Sequence, residues 1–95
     1  MILQADAVTR DFTICNMRGL HARASAKFVQ CAESFDAVVT VCKDGQCVGG
    51  TSIMGLMMLS AAKGSSVQIS ATGPEAETAI DALEKLICER FGEDE

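Results

Sequence analysis

Asp44-Gly45 separates a β-branched run, Ala37–Cys42, from a short return segment, Gln46–Gly49, and this constrains the fold more than any other local feature. An Asp-Gly connection tolerates left-handed backbone at both central positions and favours a tight antiparallel hairpin. The spacing sets the register. Lys43 lies opposite Gln46 as a hydrogen-bonded pair, and Cys42 opposite Cys47 as the closer, non-hydrogen-bonded kind. Val39 and Val41 then face a core, while Cys42 and Cys47 face away from it. A lone hairpin is marginal in water, so more strands and helices must cover Val39 and Val41.

The remaining segments supply them. Phe12 and Ile14 alternate with Thr13 and Cys15, which predicts a first strand over Thr9–Cys15. Asn16–Leu20 is a loop, with Gly19 permitting a close backbone approach. Ala22, Ala26 and Val29 recur at helical spacing and predict a helix over about Ala22–Glu33. Gly49-Gly50 breaks the third strand, and Ser52 is a suitable N-cap for a second helix that ends near Lys63-Gly64. Val67, Ile69 and Ala71 alternate in a fourth strand. Gly73-Pro74-Glu75 opens the longest helix, with Pro at its first position and acid in its first turn. Ala76, Ala79, Ile80, Leu83, Leu86 and Ile87 form its apolar stripe.

The order is βαββαβα. It predicts an α+β, open-faced two-layer sandwich with a four-stranded antiparallel sheet and three helices on one face. With 95 residues there is room for one modest core, and without Trp or Tyr it must be built from Val, Ile, Leu, Met, Ala and Phe.

A net charge of −5 with no basic patch argues against a nucleic-acid partner. No segment is long and apolar enough for membrane insertion, and the N-terminus carries no signal-peptide pattern, so the expected compartment is the cytoplasm. The five cysteines, Cys15, Cys31, Cys42, Cys47 and Cys88, are odd in number and form no C-x-x-C pair. With a single histidine beside them, neither a metal site nor a cofactor is expected. Free thiols are expected throughout; a Cys42–Cys47 disulfide is conceivable but strained.

That histidine, His21, follows Gly19-Leu20 and opens the first helix. A helix start leaves backbone N–H groups unpaired and presents the positive end of the helix dipole, so it suits an anion. A neutral imidazole there is a nucleophile beside a phosphate cradle, and the Arg23 guanidinium matches phosphate oxygens. The plainer reading is a polar cap or a solvated side chain, with Arg23 a solvated surface charge.

Gly19-Leu20-His21-Ala22-Arg23, followed by a small-residue helix with Phe28-Val29, resembles the active-site signature of the HPr-like histidine phosphocarriers of the bacterial phosphotransferase system. Ser52-Ile53-Met54-Gly55-Leu56-Met57-Met58-Leu59 is similar to the regulatory-serine helix of that family. Ser60–Gly64 through Ala71-Thr72-Gly73-Pro74 matches the end of that helix, the last strand and the last helix start. One departure stands out: Ala24 occupies the place after the arginine where the family usually has proline. This leaves the helix start less rigid and bears on the geometry of Arg23.

The resemblance implies a domain over 9–91, preceded by a flexible extension, 1–8, and followed by an acidic tail, 92–95. It implies that His21 accepts a phosphoryl group from an enzyme I-type donor and passes it to an enzyme IIA-type acceptor, with Arg23 steadying the phosphoryl oxygens. The protein is then a stoichiometric carrier rather than a free-standing enzyme. Ser52 is an N-cap on either reading, and the resemblance adds regulatory phosphorylation by an HPr kinase/phosphorylase. Helical phase turns Leu56 and Leu59 inward and Ile53, Met54 and Met57 outward. With Leu20, these outward residues form the expected partner-docking patch; the plainer reading makes the methionines part of a small core. The Met-rich second helix and the tail lean towards the nitrogen-regulatory, NPr-like branch rather than the sugar branch. The alternative of another class is a small α/β ligand-binding regulatory module, which would need a pocket or metal ligands.

Overall fold

The computed structural model describes residues 7–94. The hairpin forms in the expected register, with β2 (Val38–Lys43) and β3 (Gln46–Gly49) pairing Cys42 with Cys47 and Lys43 with Gln46. Asp44 and Gly45 take φ of 51° and 83°, the left-handed pair that a two-residue hairpin requires. On its other side β2 pairs antiparallel with β4 (Ser66–Thr72), and β4 pairs with β1 (Val8–Thr13). The sheet order is therefore β1-β4-β2-β3.

One face of this sheet carries Phe12, Val39, Val41, Val67, Ile69 and Ala71, all buried. Against it pack α1 (Ala22–Glu33), α2 (Ile53–Met58) and α3 (Ala76–Cys88). Arg10, on the edge strand, reaches Asp81 and Glu84 of α3, each at 2.8 Å. The opposite face is mostly polar, with Thr9 and Ser70 hydrogen-bonded at 3.1 Å, but it also carries the exposed Val38. This is the predicted open-faced α+β sandwich.

Several boundaries move for identifiable reasons. β1 starts at Val8, paired with Ala71, and stops at Thr13. Ile14 stays buried but bonds to the segment after α2: its N–H donates to Ser65 and its C=O accepts from Gly64. The six-residue α2 ends well before Lys63-Gly64, closed by Ser60 at φ 55°. The chain leaves the helix there because the Ala61 carbonyl accepts the Leu20 N–H at 2.9 Å. At the start of α3, Glu75 is held outside the helix. Its N–H donates to the Asp36 carbonyl, and its carboxylate accepts the Asp36 N–H at 2.7 Å. Pro74 thus precedes the cap instead of opening the helix.

The buried stripe of α1 is Ala24, Ser25, Phe28, Val29 and Ala32. Of the residues whose spacing predicted the helix, Val29 is buried, Ala26 half-buried and Ala22 exposed. Phe28 sets the phase because it is the largest apolar side chain on the helix and has the most to gain from burial. The stripe of α3 holds as predicted, with Leu86 at its half-buried margin.

The expectation of free thiols fails at one pair. Cys42 and Cys47 are joined, while Cys15, Cys31 and Cys88 are free. The two strands bring their Cα atoms to 4.0 Å, and the hairpin offers each sulfur no nearer partner than the other. Burial pushes the Cys31 thiol above its ordinary range. Residues 1–6 of the predicted flexible extension lie outside the described residues.

Candidate functional site

His21 stands at the N-cap of α1 with an extended backbone, φ −73° and ψ −179°, and its side chain makes no capping bond. Its carbonyl accepts the Ser25 N–H at 2.8 Å, which starts the helix. No acidic residue occupies the first turn, so the unpaired N–H groups keep their positive field.

The loop before it is fixed tightly. Gly19 adopts φ 64°, and a Cβ there would lie 2.3 Å from the Ala61 carbonyl oxygen. Only glycine allows this approach, which lets the neighbouring Leu20 N–H reach Ala61. Leu20, expected beside the docking residues, is 7% exposed and packs into the core, where it anchors the loop. The Ser25 hydroxyl, itself buried, donates to the Leu20 carbonyl at 3.1 Å.

The imidazole is met by a residue from the far end of the chain. Nε2 of His21 lies 2.5 Å from Oε2 of Glu93, and the two side chains are 20% and 16% exposed. Oε1 of Glu93 accepts from Nδ2 of Asn16 at 3.0 Å, and the same amide donates to the Gly19 carbonyl at 2.8 Å. Both partners of Nδ2 are acceptors only, so chemistry fixes the amide orientation. Asn16 is fully buried, and its Oδ1 has no partner among the described residues. Partial desolvation pushes the Glu93 carboxyl up. The hydrogen bonds from Asn16 and His21, with the attraction of His21 and Arg18, outweigh it and lower the group from its ordinary value. Glu93 is therefore an acceptor and Nε2 the donor, so in the neutral ring the lone pair lies on Nδ1.

The tail reaches His21 by a sharp reversal after α3. Arg90, Phe91 and Gly92 all have positive φ, at 56°, 55° and 79°. The Phe91 side chain is fully buried, and Lys27 of α1 donates to the Phe91 carbonyl at 2.6 Å. Glu93, within the acidic tail, is thus held against the fold. Sequence reasoning missed it, along with Asn16. The one available signal was Phe91, a large apolar residue just before a charged run.

Arg23 is exposed and forms no ion pair among the described residues. It lines a shallow depression of about 460 Å³ with Arg18, Lys27 and Glu93. A second depression, of about 230 Å³, puts His21 beside Arg18 and the Ser60–Ala62 segment that follows α2. Ala24, where proline was expected, is fully buried. Ser52 caps α2, its hydroxyl accepting the Gly55 N–H at 3.0 Å. Leu56 and Leu59 are buried and Ile53, Met54 and Met57 exposed, as helical phase predicted, and Met58 is exposed as well.

The family described as the PTS HPr component phosphorylation site matches residues 8–89. The chain belongs to the HPr phosphocarrier family. Phosphocarrier protein HPr of Cupriavidus necator is 51% identical over 86 residues, covering 90% of this chain and 97% of the relative. Phosphocarrier protein NPr of Shewanella violacea is 37% identical over 84 residues, covering 88% and 92%. Among solved structures, HPr-C-His from Thermoanaerobacter tengcongensis superposes with a TM-score of 0.89 at 43% identity, covering 93% of this chain and 99% of that one. The sandwich described above is thus the HPr fold, and the membership makes this chain a phosphocarrier of the phosphotransferase system.

Proposed function

We propose that His21 is the phosphoryl carrier of this protein. It takes the group from an enzyme I-type phosphohistidine derived from phosphoenolpyruvate and passes it to a histidine of an enzyme IIA-type protein. The Nδ1 lone pair attacks phosphorus and a P–N bond forms. The donor's P–N bond breaks, and its electron pair returns to the donor ring. In the onward step the His21 ring is the leaving group. The observation that carries this reading is that Glu93 engages Nε2 of His21, which leaves Nδ1 for phosphorus, at a helix start with no acid in its first turn. Arg23, exposed and in no ion pair among the described residues, closes on the phosphoryl oxygens once they arrive.

Ile53, Met54 and Met57 form the docking patch for enzyme I and IIA, since exposed methionines adapt to more than one partner surface. Ser52, at the head of this patch, is a site for an HPr kinase/phosphorylase. A phosphate there adds nearly two negative charges beside the patch. The setting for these partners is the cytoplasm. The lean towards nitrogen regulation is carried into the test, because relatives named HPr and NPr both occur.

Incubation with enzyme I and phosphoenolpyruvate tests the reading. The wild type gains one acid-labile phosphate, and His21→Ala folds but gains none. Acid-labile label retained by His21→Ala overturns it. A panel of IIA acceptors, sugar-type and nitrogen-regulatory, then assigns the branch.

A further inference from the structure

We infer that Asn16 and Glu93 are positioning residues for phosphoryl transfer, holding the His21 ring by its Nε2–H so that Nδ1 faces the incoming phosphorus; this rests on the reading of His21 as the carrier.

The contacts form a directed chain. Asn16 is fully buried and spends both amide hydrogens on acceptors, the Gly19 carbonyl and Oε1 of Glu93. The Gly19 carbonyl belongs to the loop that delivers His21, so Asn16 ties the carboxylate to the nucleophile's own backbone. Oε2 of Glu93 then accepts from Nε2. An acceptor at one ring nitrogen excludes the tautomer protonated at the other. It also restricts ring rotation, and transfer in line with the donor depends on that orientation.

The chain also acts as charge develops. When the Nδ1 lone pair bonds to phosphorus, positive charge builds on the ring and the Nε2 proton becomes more acidic. A carboxylate 2.5 Å away stabilises that charge, and the proton stays on Nε2. The same arrangement, a carboxylate orienting the far nitrogen of a reacting imidazole, serves hydrolytic triads. In the reverse step the ring gives up the phosphoryl group and the stabilisation is withdrawn smoothly, so the device serves both accepting and donating.

The tail geometry supports this use over incidental contact. Two non-glycine residues in succession, Arg90 and Phe91, occupy the left-handed region. That costs free energy at each. The buried Phe91 ring and the Lys27 bond to the Phe91 carbonyl offset the cost. Lys27 comes from the helix that His21 opens, so nucleophile and tail are referenced to one element.

The test uses the full chain with ¹⁵N-labelled histidine. In the wild type a protected Nε2–H correlation is expected for His21, because the bond to Glu93 slows exchange with water. Glu93→Ala and Asn16→Ala should lose it. Steady-state phosphorylation by enzyme I should then show kcat about tenfold lower with KM changed less than about twofold, the range for loss of an orienting partner. Glu93→Gln retains an acceptor for Nε2–H, so it should recover the correlation and a kcat between those of the alanine variant and the wild type. A wild-type kcat in Glu93→Ala, or a loss confined to KM, overturns the inference even while His21 remains the carrier. So does a Glu93→Gln variant no better than Glu93→Ala. If His21→Ala is still labelled, the carrier reading fails first, and that result is read without any Glu93 variant.

Discussion

The Glu93 carboxylate meets Nε2 of His21 at 2.5 Å across 72 residues of sequence. The contact joins the segment that follows α3 to the N-cap of α1, and it closes the site on the Nε2 side of the ring. Its electrostatics carry a consequence for stability. The folded Glu93 carboxyl lies below its ordinary value of 4.5. A depressed carboxyl contributes stability that is present above the ordinary value and lost as pH falls through the folded one. The difference in Tm between wild type and Glu93→Gln should therefore be greatest near neutral pH and shrink steadily on acidification through 4.5 and below. A pH-independent difference would show that the charge on Glu93 contributes nothing to the fold.

Gly19→Ala should be costly although it adds a single methyl group. The new Cβ would lie 2.3 Å from the Ala61 oxygen and 2.8 Å from the Ala62 Cα, and φ at 64° is unfavourable for alanine. Overpacking and left-handed strain together predict a loss of about 2 kcal/mol or more in urea unfolding. Phosphorylation should fall as well, because the shift moves the loop that carries His21. A change within about 0.5 kcal/mol would mean that the loop yields freely.

Much of the fold could be read from local chemistry. Asp44-Gly45 specified the hairpin, its register and the opposition of Cys42 and Cys47, and the spacing from Ala76 to Ile87 specified the buried face of α3. Failures fell where distant backbone atoms compete. The Leu20 N–H draws the Ala61 carbonyl out of a longer α2, and Asp36 draws Glu75 out of α3. The existence and bounds of α1 were legible from helical spacing, but its buried face is set by Phe28, since Ala22 and Ala26 are too small to dominate burial. His21 was legible because a helix start and a nucleophile are both local. Glu93 and Asn16 were not, since their contact depends on left-handed backbone at Arg90 and Phe91, a conformation that no residue-type rule assigns to them. Opposition of the cysteines was legible; the bond between them was not, because compartment arguments favoured thiols.

Loss of the Cys42–Cys47 link should leave the fold intact. The turn is already specified by Asp44 and Gly45, and β2 is paired on both sides. Closing so short a loop removes little unfolded-state entropy, about 2 kcal/mol by the chain-entropy argument. Cys42→Ser with Cys47→Ser should therefore lower stability by no more than that and leave His21 phosphorylation unchanged, as the pair lies on the open face. Loss of cooperative unfolding in the double variant would show that the hairpin needs the covalent link.

Ser52 separates capping from regulation. Its hydroxyl accepts the Gly55 N–H at 3.0 Å, so Ser52→Ala should cost about 1 kcal/mol in a helix of only six residues. Ser52→Asp keeps an acceptor at the cap and places negative charge at a helix start, so its stability should stay within about 0.5 kcal/mol of the wild type. The two variants should diverge in the opposite sense towards enzyme I. Ser52→Ala leaves the exposed Ile53, Met54 and Met57 surface apolar and should transfer at the wild-type rate. Ser52→Asp sets a carboxylate beside that surface, and burying it against a partner costs desolvation free energy. Phosphorylation should therefore slow through a raised KM with kcat nearly unchanged, the sign of weaker association and not of altered chemistry at His21. Equal initial rates for Ser52→Asp and wild type, at carrier concentrations below KM, would show that Ser52 acts only as a cap.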